Sequence, residues 1–157
     1  MKPKIYVETS VISYLTARPS RDLIIAANQQ ITQEWWQVRR TEFDLYISQM
    51  VVQEASAGDP VAAQERLQVL DETPLLELTE DAATFAEQLI QQGALPPKAV
   101  EDALHIAVAA LNGMDYLLTW NFKHIANATM RYRIEQLCRQ MGYEPPIICT
   151  PQELLEE

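Results

Sequence analysis

Glycine is scarce, with 4 residues in 157. Neither a GxGxxG nor a GxxxxGK(S/T) pattern occurs, which argues against dinucleotide and P-loop sites, since both need glycine turns close to phosphate. Cysteine is rarer, with 2 residues, Cys138 and Cys149. That is too few for a disulfide framework or a Cys-rich zinc site, so reduced thiols in a cytoplasmic protein are expected. No apolar run approaches the ~20 residues needed to span a bilayer. Met1-Lys2-Pro3 passes directly into a strand pattern, without a signal-peptide layout. Positive charge is also short: 12 Lys and Arg stand against 22 Asp and Glu, a net charge of −10. An extended nucleic-acid surface normally needs clustered Lys and Arg, and this balance argues against one, although local basic groups such as Arg39 and Arg40 or Arg131 and Arg133 are present. A small site lined by a few basic groups stays open.

What is present fits one globular domain spanning residues 1–157, with 48% hydrophobic and 22% charged residues. Short apolar runs alternate with helical patterns, the signature of a parallel sheet with crossover helices. Strands are expected at Lys4–Val7, Asp44–Ile47, Leu75–Leu78, Tyr116–Leu118 and Pro146–Cys149. A first long helix is expected from Arg21 to Arg40, with Ile24, Ala27, Ile31, Trp35 and Val38 on its core stripe. Ser48 is placed to cap a helix through Ala55, and Asp59-Pro60 to start another. Thr79 caps Glu80–Gln92, and Gly93 stops it. Pro96-Pro97 opens a nearly apolar helix closed by Asn112-Gly113. Arg131–Met141 is a further helix. Thr150-Pro151-Gln152-Glu153 is a capping box for a short terminal one.

Three acids stand out against this frame. Glu8 ends the first strand, Glu54 follows the second on a short helix, and Asp102 interrupts the apolar helix. In an open α/β sheet these positions can share the edge at the carboxyl ends of the strands, where ligands bind. Carboxylates brought together there repel each other, at about 3 kcal/mol per pair for ~5 Å and an effective dielectric of ~20. A divalent cation removes that cost, and oxygen donors suit Mg²⁺ or Mn²⁺. Each acid also has a plainer role. Glu8 favours the start of the following helix through its dipole, Glu54 is a solvated helix residue, and Asp102 pairs with Lys98 one turn earlier. Glu101 competes with Asp102 for the third position. His105, on an apolar helix, is expected to be a satisfied core histidine; His124 follows Lys123 in the loop after the fourth strand.

The pattern resembles the PIN-domain nucleases, and especially the VapC-type toxins of prokaryotic toxin–antitoxin modules. Ile5-Tyr6-Val7-Glu8-Thr9-Ser10 resembles the family's opening strand and first acid. Val51-Val52-Gln53-Glu54 resembles its second acidic position, and Glu101-Asp102-Ala103-Leu104-His105-Ile106-Ala107 its third. Tyr116-Leu117-Leu118-Thr119-Trp120-Asn121 is similar to the fourth. Two positions depart from the usual pattern, where Asp is common: Glu8 and Asn121.

The resemblance implies a three-layer α/β/α sandwich around a mainly parallel sheet of about five strands. It further implies an Mg²⁺- or Mn²⁺-dependent ribonuclease acting on RNA phosphodiester bonds. Glu8, Glu54 and Asp102 would hold the metal, with Asn121 assisting. Thr9, Ser10 and Thr119 would orient the carboxylates, and Lys98, Lys123 or Arg18 would contact phosphate. A homodimer and a cognate antitoxin protein are implied as partners. The alternative is a catalytically silent PIN-like module for RNA binding or protein interaction, which Asn121 and the acidic charge favour. A phosphoacceptor receiver domain also clusters acids on an α/β sheet, but it does not account for Asp102 inside a helix.

Overall fold

The computed structural model describes residues 1–155. Five parallel strands form the sheet: β1 (Lys4–Val7), β2 (Asp44–Ser48), β3 (Leu75–Leu76), β4 (Tyr116–Leu118) and β5 (Ile147–Cys149). Their order is β3-β2-β1-β4-β5. The chain therefore winds outward from β1 in one direction through β2 and β3, then crosses back to lay β4 against the other side of β1. In such a sheet the crevice for a ligand opens where the winding reverses, between the ends of β1 and β4. The register pairs Val7 with Leu118 at this edge.

The central strands are buried on both faces, which explains their continuous apolar runs. Ile5, Tyr6, Val7, Leu117 and Leu118 are all at most 1% exposed. Helices α1 (Thr9–Thr16), α2 (Leu23–Val38), α3 (Gln49–Ala55) and α4 (Pro60–Leu70) pack together, with α1 touching the other three. Helix α5 (Glu80–Gln91) packs on α6 (Val100–Leu111), and α7 (Ala128–Gln140) precedes β5. The helices and sheet build the three-layer α/β/α arrangement expected from the sequence.

Several boundaries differ from expectation. Helix α6 starts at Val100, after a turn in which Ala99 N–H bonds Pro96 O at 3.0 Å, so Asp102 lies in its first turn. Gly113 adopts φ +68° just beyond that helix, a conformation that favours glycine. Helix α7 begins three residues early because the Asn127 side chain accepts from Thr129 N–H. Half of the capping box at Thr150 forms, with Glu153 Oε1 accepting from Thr150 N–H at 3.0 Å while Glu153 N–H bonds Thr150 O. Among the described residues 151–154 form a turn; residues 156 and 157 lie outside the description.

The core stripe expected for α2 holds at Trp35, which is buried, and at Ile31, which packs on the core, and is corrected at the other positions. Ile24 and Val38 are 74% and 62% exposed, while Gln29, Thr32 and Trp35 are buried. The two polar residues are satisfied inside: Gln29 binds Ser20 N–H and Arg18 O, and Thr32 Oγ1 accepts from Trp120 Nε1 at 2.7 Å. Their hydrogen bonds, rather than apolar character, make them core residues.

Candidate metal centre

Glu8 leaves β1 in an extended conformation and serves as the N-cap of α1, its Oε2 accepting from Ser10 N–H at 3.1 Å. The dipole role expected for it is therefore real. Its other oxygen has separate work: Oε1 accepts from the Ser10 hydroxyl at 2.5 Å and the Thr119 hydroxyl at 2.6 Å. Glu8 is only 6% exposed. Ser10 Oγ in turn accepts from Trp120 N–H at 2.8 Å, and Thr119 Oγ1 from Asn121 N–H at 2.9 Å. The turn after β4 is thus stitched to the carboxylate that ends β1.

Glu54 arrives from α3, where Ser48 and the residues after it turn the chain back along the sheet. Ser48 is the N-cap residue of α3, yet its hydroxyl makes no capping bond. It bonds instead to the Tyr6 hydroxyl at 2.7 Å. Glu54 Oε1 accepts from the Thr9 hydroxyl and faces His105 Nε2 at 2.8 Å. The opposite ring nitrogen, Nδ1 of His105, lies 2.6 Å from the Tyr6 hydroxyl. A continuous chain of polar contacts therefore runs Ser48–Tyr6–His105–Glu54–Thr9 through otherwise apolar packing.

The ligand-type atoms of Glu8, Glu54 and His105 all lie within 4.8 Å of one another. Among the described residues no lysine or arginine forms an ion pair with either glutamate, and Glu54 faces the imidazole of His105. Burial is the strongest influence on both members of the Glu54–His105 pair and disfavours their charges. For Glu54 it is outweighed by the bond and charge of His105 and by bonds from Thr9 and Glu101, so its pKa is lowered. For His105 it is outweighed by the bond from Glu54 and the charges of Glu8, Glu54 and Asp102, so its pKa is raised. Burial pushes the Tyr6 phenol far up, so Tyr6 stays neutral. Two carboxylates and one imidazole so close together fit a divalent ion in number and chemistry of donors.

Asp102 stands outside that group of three. Its Oδ1 accepts from Asn121 Nδ2 at 2.9 Å, and its Oδ2 faces His124 Nδ1 at 2.8 Å. This replaces the expected pair with Lys98, which is exposed. Asn121 also holds the turn: its Oδ1 accepts from Lys123 N–H at 3.2 Å and His124 N–H at 3.1 Å. Lys123 and Arg18 are exposed; Lys123 shares Asn121's turn, whereas no hydrogen bond or ion pair among the described residues ties the Arg18 or Lys98 side chain to the glutamates.

The structure brings Glu8 and Glu54 together with the three hydroxyls expected beside them, and His105 is the satisfied core histidine expected, while its bonds to Glu54 and Tyr6 were not foreseen. One signal was available. Glu101 and His105 are four residues apart on α6, so they share a face, and both reach Glu54.

A family model described as PIN domain matches residues 5–127, a span that contains every acid and histidine of the site. None of the curated proteins is a match. Among solved structures the chain is similar to VapBC2 from Rickettsia felis, crystallised bound to a DNA fragment from their promoter. That likeness has a TM-score of 0.57 at 13% identity and covers 94% of this chain and 98% of that one. At such identity it speaks to the fold alone.

Proposed function

The chain belongs to the PIN domain family, and from that premise we propose that it is a metal-dependent endoribonuclease, the toxin of a type II toxin–antitoxin module. One observation carries the reading: a buried glutamate, Glu8, and a partly exposed one, Glu54, converge with a buried imidazole at the winding reversal of the sheet. Convergent carboxylates of this kind suit a cation better than any other ligand.

Glu8 and Glu54 would hold Mg²⁺ or Mn²⁺, with Asp102 as a further acid on the rim. The cation, when bound, makes a water acidic enough to attack and neutralises charge on the scissile phosphate. The chain's own residues supply the positioning. Thr9, Ser10 and Thr119 fix the carboxylate rotamers. Asn121 and His124 hold Asp102 beside the turn after β4. Lys123, exposed in that turn, is placed to meet an RNA phosphate; Lys98 and Arg18 are further candidates for such contacts.

The partners follow from the same charges. A cognate antitoxin would present a basic segment to an acidic protein, and an Arg inserted among the carboxylates would neutralise them through charge-assisted bonds. A homodimer is part of this proposal. Co-expression with the small protein encoded beside it should give a complex that loses cleavage activity; a free monomer would oppose the module reading.

The test of the enzyme is cleavage of an unstructured RNA pool in Mn²⁺, with a chelator control. Cleavage that falls on the order of 100-fold or more in both Glu8→Gln and Glu54→Gln supports it. A folded chain that binds RNA without cutting it would favour the silent binding module, for which Asn121 in place of an acid is the supporting feature.

A further inference from the structure

Resting on that cation reading and deepening it, we propose that His105 is itself a ligand of the ion. The site would then combine two carboxylates with one imidazole and select a first-row transition ion such as Mn²⁺ over Mg²⁺.

The spacing of the donors is the first argument. His105 is completely buried on α6, yet its Nε2 points at Glu54 Oε1, 2.8 Å away, and not at a backbone carbonyl of the core. Adjacent donors on an octahedral ion with bonds of about 2.1 Å lie about 3 Å apart. The nitrogen and oxygen are therefore spaced as neighbouring ligands, and an ion bonded to both would sit to one side of the line of the present hydrogen bond. Glu8 completes the group within 4.8 Å.

The second argument lies on the far side of the ring. An imidazole that ligates a metal normally commits its other nitrogen to a fixed polar partner, which sets the tautomer and orientation. His105 Nδ1 has that partner in Tyr6, whose hydroxyl also meets Ser48. With Nε2 turned to an ion, Nδ1 carries the proton and donates to Tyr6, and Tyr6 donates to Ser48. The contact between His105 Nδ1 and Tyr6 is kept in that arrangement. Tyr6 is 0% exposed in the central strand, so the ring is held rigidly.

The third argument is the engagement of Asp102. Both its oxygens have partners in Asn121 and His124. Glu8 is hydrogen-bonded on both oxygens as well, so distance decides: the ligand-type atoms within 4.8 Å of one another are those of Glu8, Glu54 and His105, without Asp102. Replacing a carboxylate by nitrogen removes one negative charge and adds a softer donor. Both changes disfavour Mg²⁺, which prefers oxygen, relative to a transition ion.

Pulsed EPR on the full chain loaded with Mn²⁺ tests this, because a directly bound imidazole nitrogen couples to the electron spin. The chain has two histidines, so the wild type and His124→Gln suffice to assign the signal. Nitrogen coupling in both proteins, surviving about a tenfold excess of Mg²⁺, is the expected result. Bound Mn²⁺ without nitrogen coupling would overturn ligation by His105 and leave the carboxylate site standing. Coupling lost in His124→Gln would also overturn it, by assigning the nitrogen to the loop histidine. Ready displacement by Mg²⁺ would overturn the selectivity. No bound Mn²⁺ at all would overturn this inference together with the metal reading beneath it.

Discussion

The Thr119 hydroxyl donates to Glu8 Oε1 across 2.6 Å, joining the turn after the fourth strand to the carboxylate that ends the first. The two residues are neighbours because β4 lies against β1 in parallel register. Thr119→Val keeps the shape of the side chain but deletes this donor and the acceptor for Asn121 N–H. Cation binding should weaken about 10–100-fold, as for other partners that orient ligands. Titration calorimetry with Mn²⁺ checks this, and unchanged affinity in a folded variant would show that Glu8 is oriented without Thr119.

The Glu54–His105 pair sets a pH dependence for the metal-free chain. Glu54 has a pKa below its ordinary 4.5, so its contribution to stability is full above that value and is lost as pH falls through the lowered one. His105 has a pKa above its ordinary 6.5, so its contribution is full below that value and is lost as pH rises through the raised one. The pair therefore contributes most between about pH 4.5 and 6.5. Urea unfolding in chelator should show stability declining on the alkaline side, with that decline flattened in His105→Gln. A wild type equally stable from pH 6 to 9 would contradict the shift of His105.

Asn121 donates to Asp102 where a fourth acid would repel it. Asn121→Asp turns that bond into a contact of like charges beside a half-buried carboxylate. The metal-free chain should lose about 1–3 kcal/mol of stability, the usual cost of a charged group deprived of its partner. Mn²⁺ should recover more stability in this variant than in the wild type. Equal recovery in both would mean that Asp102 and residue 121 face no cation.

Much of this was legible in the sequence, and particular residues show why the rest was not. Strands β1 and β4 were readable because they are short apolar runs buried on both faces, whereas β3, at the sheet edge with Leu75 55% exposed, stops at Leu76 and not at Leu78. Glu8 was readable because it follows β1 directly, and Glu54 because it lies on the short helix that follows β2. His105 is the core histidine its apolar helix suggests, but its partner Glu54 was not legible, because burial alone does not reveal what Nε2 faces. Gln29 and Thr32 misled the reading of α2 for a related reason. Apolar spacing cannot count a polar side chain whose hydrogen bonds lie on distant segments, here the Arg18–Ser20 stretch and Trp120. Asp102 failed to find Lys98 because its partners come from a turn 19 and 22 residues later.

The central claim is that the β1–β4 edge is a cation site built on Glu8 and Glu54, and thermal unfolding with and without Mn²⁺ tests it most directly. At about 100 times the dissociation constant, bound ion adds about 2.7 kcal/mol to the folded state. For a chain of this length that corresponds to a rise of about 5–10 °C in Tm. The account predicts such a rise in the wild type and its disappearance in Glu54→Gln. A wild type whose Tm is unmoved by millimolar Mn²⁺, or a rise that persists undiminished in Glu54→Gln, would contradict it.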